Sequence, residues 1–425
     1  MNALVRPNIP ALTEAFASVR QRTQALVSHL SAEDCNLQSM EDASPAKWHL
    51  AHTTWFWETF LLTEQQPDYQ VFDPDFRQLF NSYYNGVSEQ FPRGRRGLLT
   101  RPALTEILAY RAHVDTAVIQ LLQTIDQDGA DAWRGARAVV ELGLNHEQQH
   151  QELIVTDLQH LFHQNPLGPV CFPPALNLLP ARPPAAATSG PAWLDIEPQL
   201  RKVGFAGDGF CFDNELPAHQ TYLNPYSIAT GLVTCAEFAE FINDGGYTEP
   251  AWWLSEGFAW LRQHNISHPI YWRGDGQQWS EFTLHGYQPI QPDAPVAYLS
   301  YFEADAYARY AGARLPTEFE WEGAARLARG HGDHIDASGR AALQQLDDTV
   351  WQWTSSSYAA YPGFRTSADA IGEYNGKFMV NQYVLRGGSF LTPPGHTRLT
   401  YRNFFPAGAR WQATGIRLAR DRERG

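Results

Sequence analysis

The sequence has little cysteine and lacks any long hydrophobic run. Its four cysteines are spread over 425 residues without a C-x-x-C pair, so we predict neither a disulfide framework nor a cysteine-based zinc site. No stretch approaches the roughly 18 apolar residues of a membrane-spanning helix, and the first ten residues lack the apolar core of a signal peptide. We therefore expect an unexported, cytoplasmic protein with no membrane partner.

The chain also lacks an excess of basic residues. It has 46 acidic and 32 basic residues, which gives a formal net charge of -14 and argues against a nucleic-acid partner. Hydrophobic residues make up 44% of the chain and aromatic residues 13%, which is enough for large cores and excludes general disorder. At about 150 residues per domain, the length predicts two or three domains.

Changes in composition and in the spacing of apolar residues predict three segments. Residues 1–164 carry apolar positions three and four residues apart, which predicts four packed helices, the second of them capped by Ser44. Residues 165–194 form a connector rich in proline and alanine. Residues 195–425 consist of short segments broken by Gly, Pro, Asn and Asp, with helices only near 234–243 and 301–311. We therefore expect an all-α region followed by an α+β domain.

The strongest chemical signal is a pair of histidines on the apolar stripe of the fourth predicted helix. His146 and His150 are four residues apart, so their side chains project side by side and can bind one metal ion. Imidazoles on an apolar face need polar partners, and a metal suits both. His52 lies on the stripe of the second helix and is the expected third ligand, whereas His49 lies off that stripe and is the competing choice. Three imidazoles leave coordination positions open for substrate and dioxygen.

The same segment permits a different interpretation. Residues 146–150 match H-E-x-x-H, the pattern of zinc proteases in which Glu147 would be the general base. Leu153 stands where a metzincin requires glycine, which disfavours a protease. A zinc hydrolase and a binding module without turnover stay open as alternatives.

Several motifs, in a consistent order, resemble one enzyme family. In the first half, residues 48–52 (WHLAH), 80–85 (FNSYYN) and 146–152 (HEQQHQE) closely resemble the DinB-like half of ergothioneine-type sulfoxide synthases. The second half resembles the C-type-lectin-related domain, similar to formylglycine-generating enzyme and sulfatase-modifying factor, that these synthases share. Its motifs are residues 314–322 (RLPTEFEWE), 350–354 (VWQWT), 386–390 (RGGSF) and 415–419 (GIRLA). The resemblance implies a DinB-like four-helix bundle followed by that domain.

The resemblance implies an iron-dependent oxidoreductase with non-haem Fe(II) bound by His52, His146 and His150. Dioxygen would drive the joining of a thiol sulfur to the imidazole of hercynine, the trimethylated histidine, and the sulfur would end as a sulfoxide in ergothioneine biosynthesis. Cysteine is the expected sulfur donor. Two related activities stay open: a selenoneine synthase that takes a selenosugar, and a 5-histidylcysteine sulfoxide synthase that accepts unmethylated histidine.

One basic cluster stands out in this acidic chain. Residues 91–97 (FPRGRRG), followed by Arg101, are bounded by glycine and predict an arginine-rich loop. Arginine clusters bind carboxylates well. The position of the segment matches a family loop that contacts the sulfur donor. We expect Arg93 and Arg96 to bind the sulfur donor, and Arg95 is the alternative candidate.

The adjacent residues Tyr83 and Tyr84 are the expected catalytic pair, because one tyrosine acts at the iron in the subgroup that this chain resembles. A phenol, with an ordinary pKa near 10, is protonated at neutral pH and can donate its hydrogen. We expect Tyr84 to be the acid, with Tyr83 beside it. Adjacent side chains in a regular element point in different directions, so we expect only one of them to be directly catalytic.

The carboxyl-terminal part departs from relatives that use gamma-glutamylcysteine. Those place an acidic residue after an Asn-Trp pair, whereas this chain has Asn403, Phe404 and Phe405. Phe405 cannot act as that acid, which favours the subgroup that uses free cysteine. The resemblance implies that Asn403 and Phe404 hold the carboxylate and the quaternary ammonium of hercynine, with Phe405 beside them and Gln149 at its imidazole. We therefore expect a site in a cleft between the domains.

Overall fold

A computed structural model describes residues 9–84, 86–128, 130–179, 182–183, 192–274, 276, 278–329, 343–366 and 376–422. The chain divides into two compact units, the first within Met1–Asn165 and the second comprising Pro166–Ser367 and Asn375–Gly425. The first unit is helical and the second combines short strands with helices. The predicted fold class is therefore confirmed. Residues 180–181 and 184–191 of the predicted connector lie outside the described residues.

The first unit is a four-helix bundle, as predicted. Its long helices are α1 (Ile9–Ala25), α3 (Ala46–Trp57), α6 (Leu104–Asp128) and α7 (Ala130–His163). Its shorter helices are α2 (Ala32–Asn36), a π-helical turn (Glu58–Leu62), α4 (Thr63–Gln65), α5 (Phe76–Phe80) and a 3-10 helix (Arg93–Leu98). Helices α1 and α3 each pack against both α6 and α7. No helix among the described residues is both long enough and apolar enough to cross a membrane.

Helix α3 is the central element of the bundle, because all 12 of its residues are buried. Its polar side chains must therefore find partners inside the protein. The predicted cap at Ser44 is wrong: Pro45 occupies the N-cap position, and no side chain caps the helix. The Ser44 hydroxyl instead accepts a hydrogen bond from Arg96 Nη1 at 2.9 Å, and the Ser44 N–H donates to Asp157 Oδ2 at 2.8 Å.

The described residues of the second unit form four small sheets, with strand orders β1-β4-β12, β10-β9-β8-β11, β5-β6-β7 and β2-β3. The strands are β1 (Trp193–Ile196), β2 (Gln199–Val203), β3 (His219–Leu223), β4 (Tyr226–Ala229), β5 (Trp272–Gly274), β6 (Trp279–Thr283), β7 (Gly286–Pro289), β8 (Trp351–Ser357), β9 (Gln382–Arg386), β10 (Asn403–Pro406), β11 (Thr414–Gly415) and β12 (Ala419–Asp421). The helices are α8 (Cys235–Asn243), α9 (Ser255–His264), α10 (Tyr301–Tyr310) and α11 (Glu318–Ala328). Because β12 pairs with β4, the last described strand closes onto one of the first.

Helix α11 overlaps the motif at residues 314–322 and packs against β2 and β3 of one sheet and β8 and β9 of another. It begins with a capping box: Thr317 Oγ1 accepts from the Glu320 N–H, and Glu320 Oε2 accepts from the Thr317 N–H. One face of the helix carries Trp321, which belongs to the hydrophobic core of the unit. The buried Arg386 of β9 donates to Glu322 Oε2 at 2.5 Å. These motifs therefore stabilise the fold of the second unit.

Candidate metal centre

The structure brings the three predicted histidines together. One nitrogen from each of His52, His146 and His150 lies within 4.8 Å of the others, and all three rings are buried. Their ring centroids are 4.6–5.0 Å apart. The histidines converge because α3 packs against α7: α3 contributes His52, and one face of α7 contributes His146 and His150.

The hydrogen bond to His52 fixes which of its nitrogens is available. Nδ1 lies 2.7 Å from the backbone carbonyl oxygen of Phe80, which can only accept, so Nδ1 carries the hydrogen. The lone pair is therefore on Nε2, which lies 3.2 Å from Nε2 of His146. The indole of Trp48 stacks on the His52 ring, with centroids 4.6 Å apart and planes 10° apart, and so holds its orientation.

This donor set fits a divalent metal ion. Burial lowers the pKa of His146 to about 3 and lowers the pKa values of His52 and His150 well below their usual range, so the rings are neutral at pH 7. With metal–nitrogen bonds of about 2.1 Å, adjacent ligand nitrogens are separated by about 3.0 Å in octahedral and about 3.4 Å in tetrahedral geometry. The observed 3.2 Å lies between these values. Three neutral imidazoles suit iron, zinc, copper or nickel better than magnesium or calcium.

Glu147 does not take part in this centre. Its Oε2 accepts hydrogen bonds from Arg20 Nη1 at 2.9 Å and Trp57 Nε1 at 3.0 Å, and its Oε1 accepts from Arg111 Nη2 at 3.1 Å. Burial raises the pKa of this carboxyl group, but Arg20 and Arg111 outweigh that effect and bring it down to about 2. The carboxylate ties α1, α3, α6 and α7 together. A hydrolase of the H-E-x-x-H type would therefore lack its general base.

We expect Glu147→Gln to destabilise the bundle by about 3–5 kcal/mol, because the buried guanidinium groups of Arg20 and Arg111 would lose the carboxylate that they share. Urea unfolding measures this effect. The matched control is Glu141→Gln on the same helix, whose ion pair with Arg137 is partly exposed and contributes at most about 1 kcal/mol. Equal unfolding midpoints for the two variants would contradict a structural role for Glu147.

Tyr83 and Tyr84 point in the same direction, contrary to the expectation from regular elements. Their rings stack with centroids 4.6 Å apart, and their hydroxyl oxygens are 3.5 Å apart. The segment is a bend closed by Asn81, whose side chain bonds both the N–H and the carbonyl of Tyr84. Tyr84 is fully buried with its ring 5.8 Å from that of Trp55, which in turn stacks 5.7 Å from His52. One aromatic side chain therefore links Tyr84 to the histidine cluster.

The predicted arginine-rich loop is a 3-10 helix, and it buries one of its arginines. Arg96 is only 4% exposed, donates to Ser44 Oγ at 2.9 Å and Ser82 Oγ at 3.1 Å, and lies 3.3 Å from the ring centre of Trp48. Across the described ranges, no carboxylate lies within ion-pair distance of its guanidinium. Burial lowers its pKa well below the usual range. Arg93 and Arg95 are exposed, and the former donates to a backbone carbonyl group.

The remaining predicted residues lie on α7 and β10. Gln149 is half-buried, one position before His150. The Asn403 side-chain oxygen accepts the N–H of Phe404 at 2.9 Å, and the Phe404 ring stacks on Tyr358 with centroids 4.1 Å apart. Because side chains alternate along a strand, Asn403 and Phe405 share one face and Phe404 takes the other.

Matches with known proteins follow the same division. The DinB superfamily profile matches residues 15–154, and the profile of the sulfatase-modifying factor enzyme 1-like domain matches residues 182–343 and 338–422. A protein named hercynine oxygenase from Mycolicibacterium smegmatis is 32% identical, over 96% of this chain and 98% of its own. One of the same name from Mycobacterium tuberculosis is 33% identical, over 96% and 97%. Ergothioneine biosynthesis protein 1 of Schizosaccharomyces pombe is 27% identical, over 50% of this chain and 28% of its own.

The fold and these matches define an oxidoreductase built from a DinB-like bundle and a sulfatase-modifying-factor-like domain. More particularly, the chain belongs to the hercynine oxygenase family. The predicted family and enzyme class are confirmed.

Proposed function

We propose that the protein is an iron(II)- and dioxygen-dependent sulfoxide synthase that joins cysteine to hercynine in ergothioneine biosynthesis. The observation that carries this proposal is the convergence of His52, His146 and His150. Relatives named hercynine oxygenase and ergothioneine biosynthesis protein 1 support the choice of substrate. The hydrogen-bonded Glu147 favours this function over the zinc-hydrolase alternative.

The atom balance defines what the site must do. The thiol loses its S–H hydrogen and the imidazole loses a C–H hydrogen, one oxygen atom of dioxygen ends in the sulfoxide, and the other ends in water. Four electrons pass from the two substrates to dioxygen. Iron bound by the three imidazoles would supply neighbouring coordination positions for the substrates and a route for these electrons. The protein must place both substrates, exclude other reactions and deliver protons.

Arg96 is suited to bind the carboxylate of the sulfur donor. A guanidinium group that is buried without an anion is unfavourable, and a substrate carboxylate would supply the missing negative charge. Its stack on Trp48, which itself stacks on His52, connects it with the metal centre. Arg93, on the same 3-10 helix and exposed, is the second proposed contact.

In the first unit, Gln149 is the proposed contact for the imidazole of hercynine. In the second unit, Asn403 and Phe404 of β10 carry groups that suit the carboxylate and the quaternary ammonium of hercynine. Asn403 uses its side-chain oxygen within the strand, which leaves its amide N–H groups to donate to a carboxylate. One face of the Phe404 ring is covered by Tyr358, so a quaternary ammonium group would approach its other face. Phe405 shares the face of Asn403 and would line the same contact.

We expect Arg96→Gln to raise the KM for cysteine by about 10- to 100-fold, the equivalent of the roughly 1.5–3 kcal/mol of a charged hydrogen bond. The KM for hercynine should change by less than about threefold, because the charge acts on the other substrate. Oxygen-consumption rates at varied concentrations of each substrate measure both constants. Arg95→Gln, on the exposed side of the same helix, is the control. If both variants had the same KM for cysteine, Arg96 would not bind the donor.

A panel of donors and acceptors tests the proposed reaction. The iron(II)-loaded protein is incubated under air with hercynine and either cysteine, gamma-glutamylcysteine or a selenosugar, and also with histidine and cysteine. Mass spectrometry should show a sulfoxide adduct with hercynine and cysteine as the main product. A main product from the selenosugar or from unmethylated histidine would assign one of the two related activities instead. No adduct from any pair would contradict the class of reaction.

A further inference from the structure

The Nδ1 nitrogen of His150 contacts a second histidine. His150 Nδ1 lies 2.7 Å from His49 Nδ1, and His49 Nε2 lies 3.1 Å from Asp157 Oδ2. All three side chains are buried. They form a continuous chain of two hydrogen bonds from a carboxylate to a proposed metal ligand.

The donor and the acceptor of each hydrogen bond follow from the two ends of this chain, the Asp157 carboxylate and the His150 ring. The Asp157 oxygen that faces His49 also accepts the N–H of Ser44 at 2.8 Å, so it acts as an acceptor and His49 Nε2 carries a hydrogen. His150 Nδ1 is engaged with His49, so Nε2 is the nitrogen that His150 can present to a metal ion. A metal-bound nitrogen supplies its lone pair to the metal, so Nδ1 of His150 carries the hydrogen and donates it to the lone pair on His49 Nδ1.

This arrangement also favours His52 over His49, the competing choice, as the third ligand. Both of its nitrogens are engaged, one with His150 and the other with Asp157, so neither is free to bind a metal. His52 obtains the same tautomer from the backbone carbonyl of Phe80, which no side-chain substitution removes. The orientation of His150, by contrast, depends on side chains and can be tested by mutation.

We propose that His49 and Asp157 are positioning residues that hold His150 in the tautomer whose Nε2 faces the metal. This inference rests on the metal centre of the proposed function. Such partners orient a ligand ring and increase its basicity, and their loss typically weakens metal binding by about 10- to 100-fold. Without an acceptor at His49, His150 loses the hydrogen bond that fixes its tautomer and ring orientation.

Anaerobic titration of the full-length apoprotein with Fe(II) or Co(II) tests the proposal without turnover, and the visible spectrum of Co(II) reports the coordination geometry. His49→Phe keeps an aromatic side chain but removes the acceptor, and it should weaken binding about 10- to 100-fold and alter the Co(II) spectrum. His49→Asn places an amide oxygen close to the position of Nδ1, restores the acceptor, and should bind within about threefold of the unmodified protein. His160→Gln, which replaces another buried histidine of α7 that hydrogen-bonds Ser39, is the control.

The outcomes separate the two proposals. If the unmodified protein bound neither metal, the metal centre of the proposed function would be wrong. If it bound metal and His49→Phe bound equally well, only the positioning role would be wrong. If His49→Asn bound metal as weakly as His49→Phe, the hydrogen-bond acceptor would not be the relevant property, and this too would overturn the inference.

Discussion

His146→Gln should lose both iron binding and turnover. Only two of the three converging imidazoles would remain, and an amide is a poor ligand for iron(II) compared with a neutral imidazole. We expect iron affinity and the rate of hercynine-dependent oxygen consumption each to fall by at least about 1000-fold. This is more than the 10- to 100-fold loss that is typical when a residue that only orients a metal ligand is removed. Metal analysis after gel filtration and an oxygen electrode measure the two quantities.

The control for this experiment is His113→Gln, an exposed histidine of the same bundle whose ring contacts Tyr69 and Phe72. It should retain one iron per chain and normal turnover. Circular dichroism of both variants shows whether the bundle has folded. A folded His146→Gln protein that kept its iron would show that the ion is bound elsewhere.

Tyr84→Phe should reduce kcat by about 100-fold or more, the usual contribution of a positioned general acid. The substitution removes only the hydroxyl group, so the ring can keep its packing against Trp55 and iron affinity should not change. Tyr83→Phe is the matched variant, because the Tyr83 hydroxyl is 3.5 Å from that of Tyr84 and the two rings stack on each other. We expect a reduction of less than about tenfold there.

Product analysis under saturating hercynine and cysteine measures kcat for both tyrosine variants. A large effect for Tyr83→Phe and a small one for Tyr84→Phe would reverse the assignment of the acid. Rates within about threefold of the unmodified protein for both variants would show that neither hydroxyl donates the proton in the slow step.

The histidine cluster was predictable because two independent patterns converge on it. His146 and His150 lie on an otherwise apolar helical stripe, and His52 lies on a second one, where an isolated imidazole would be costly. Asp157 lies on the same stripe, seven residues after His150, and an acidic residue at such a position indicates a buried partner. The sequence does not show which nitrogen of each ring is engaged, because that depends on contacts with Phe80 and His49 made only in the folded bundle.

Other features depended on contacts that no local pattern encodes. Ser44 is a favourable cap by composition, but Arg96 takes its hydroxyl group. Helices α9 and α11 were both missed, and in α11 the acidic residues obscure the apolar periodicity. Two acidic residues of α11, Glu318 and Glu322, are buried because arginines distant in sequence pair with them. Arg402 pairs with Glu318, and Arg386 pairs with Glu322. Long-range ion pairs of this kind override local propensity.

X-ray absorption spectroscopy of the iron(II)-loaded protein tests the central claim most directly. The account predicts one iron per chain with three imidazole nitrogens at about 2.1 Å. It also predicts that the spectrum changes when cysteine and hercynine are added without oxygen, because the substrates enter the open positions. An iron-free protein, or an iron ion bound by fewer than three imidazoles, would contradict it.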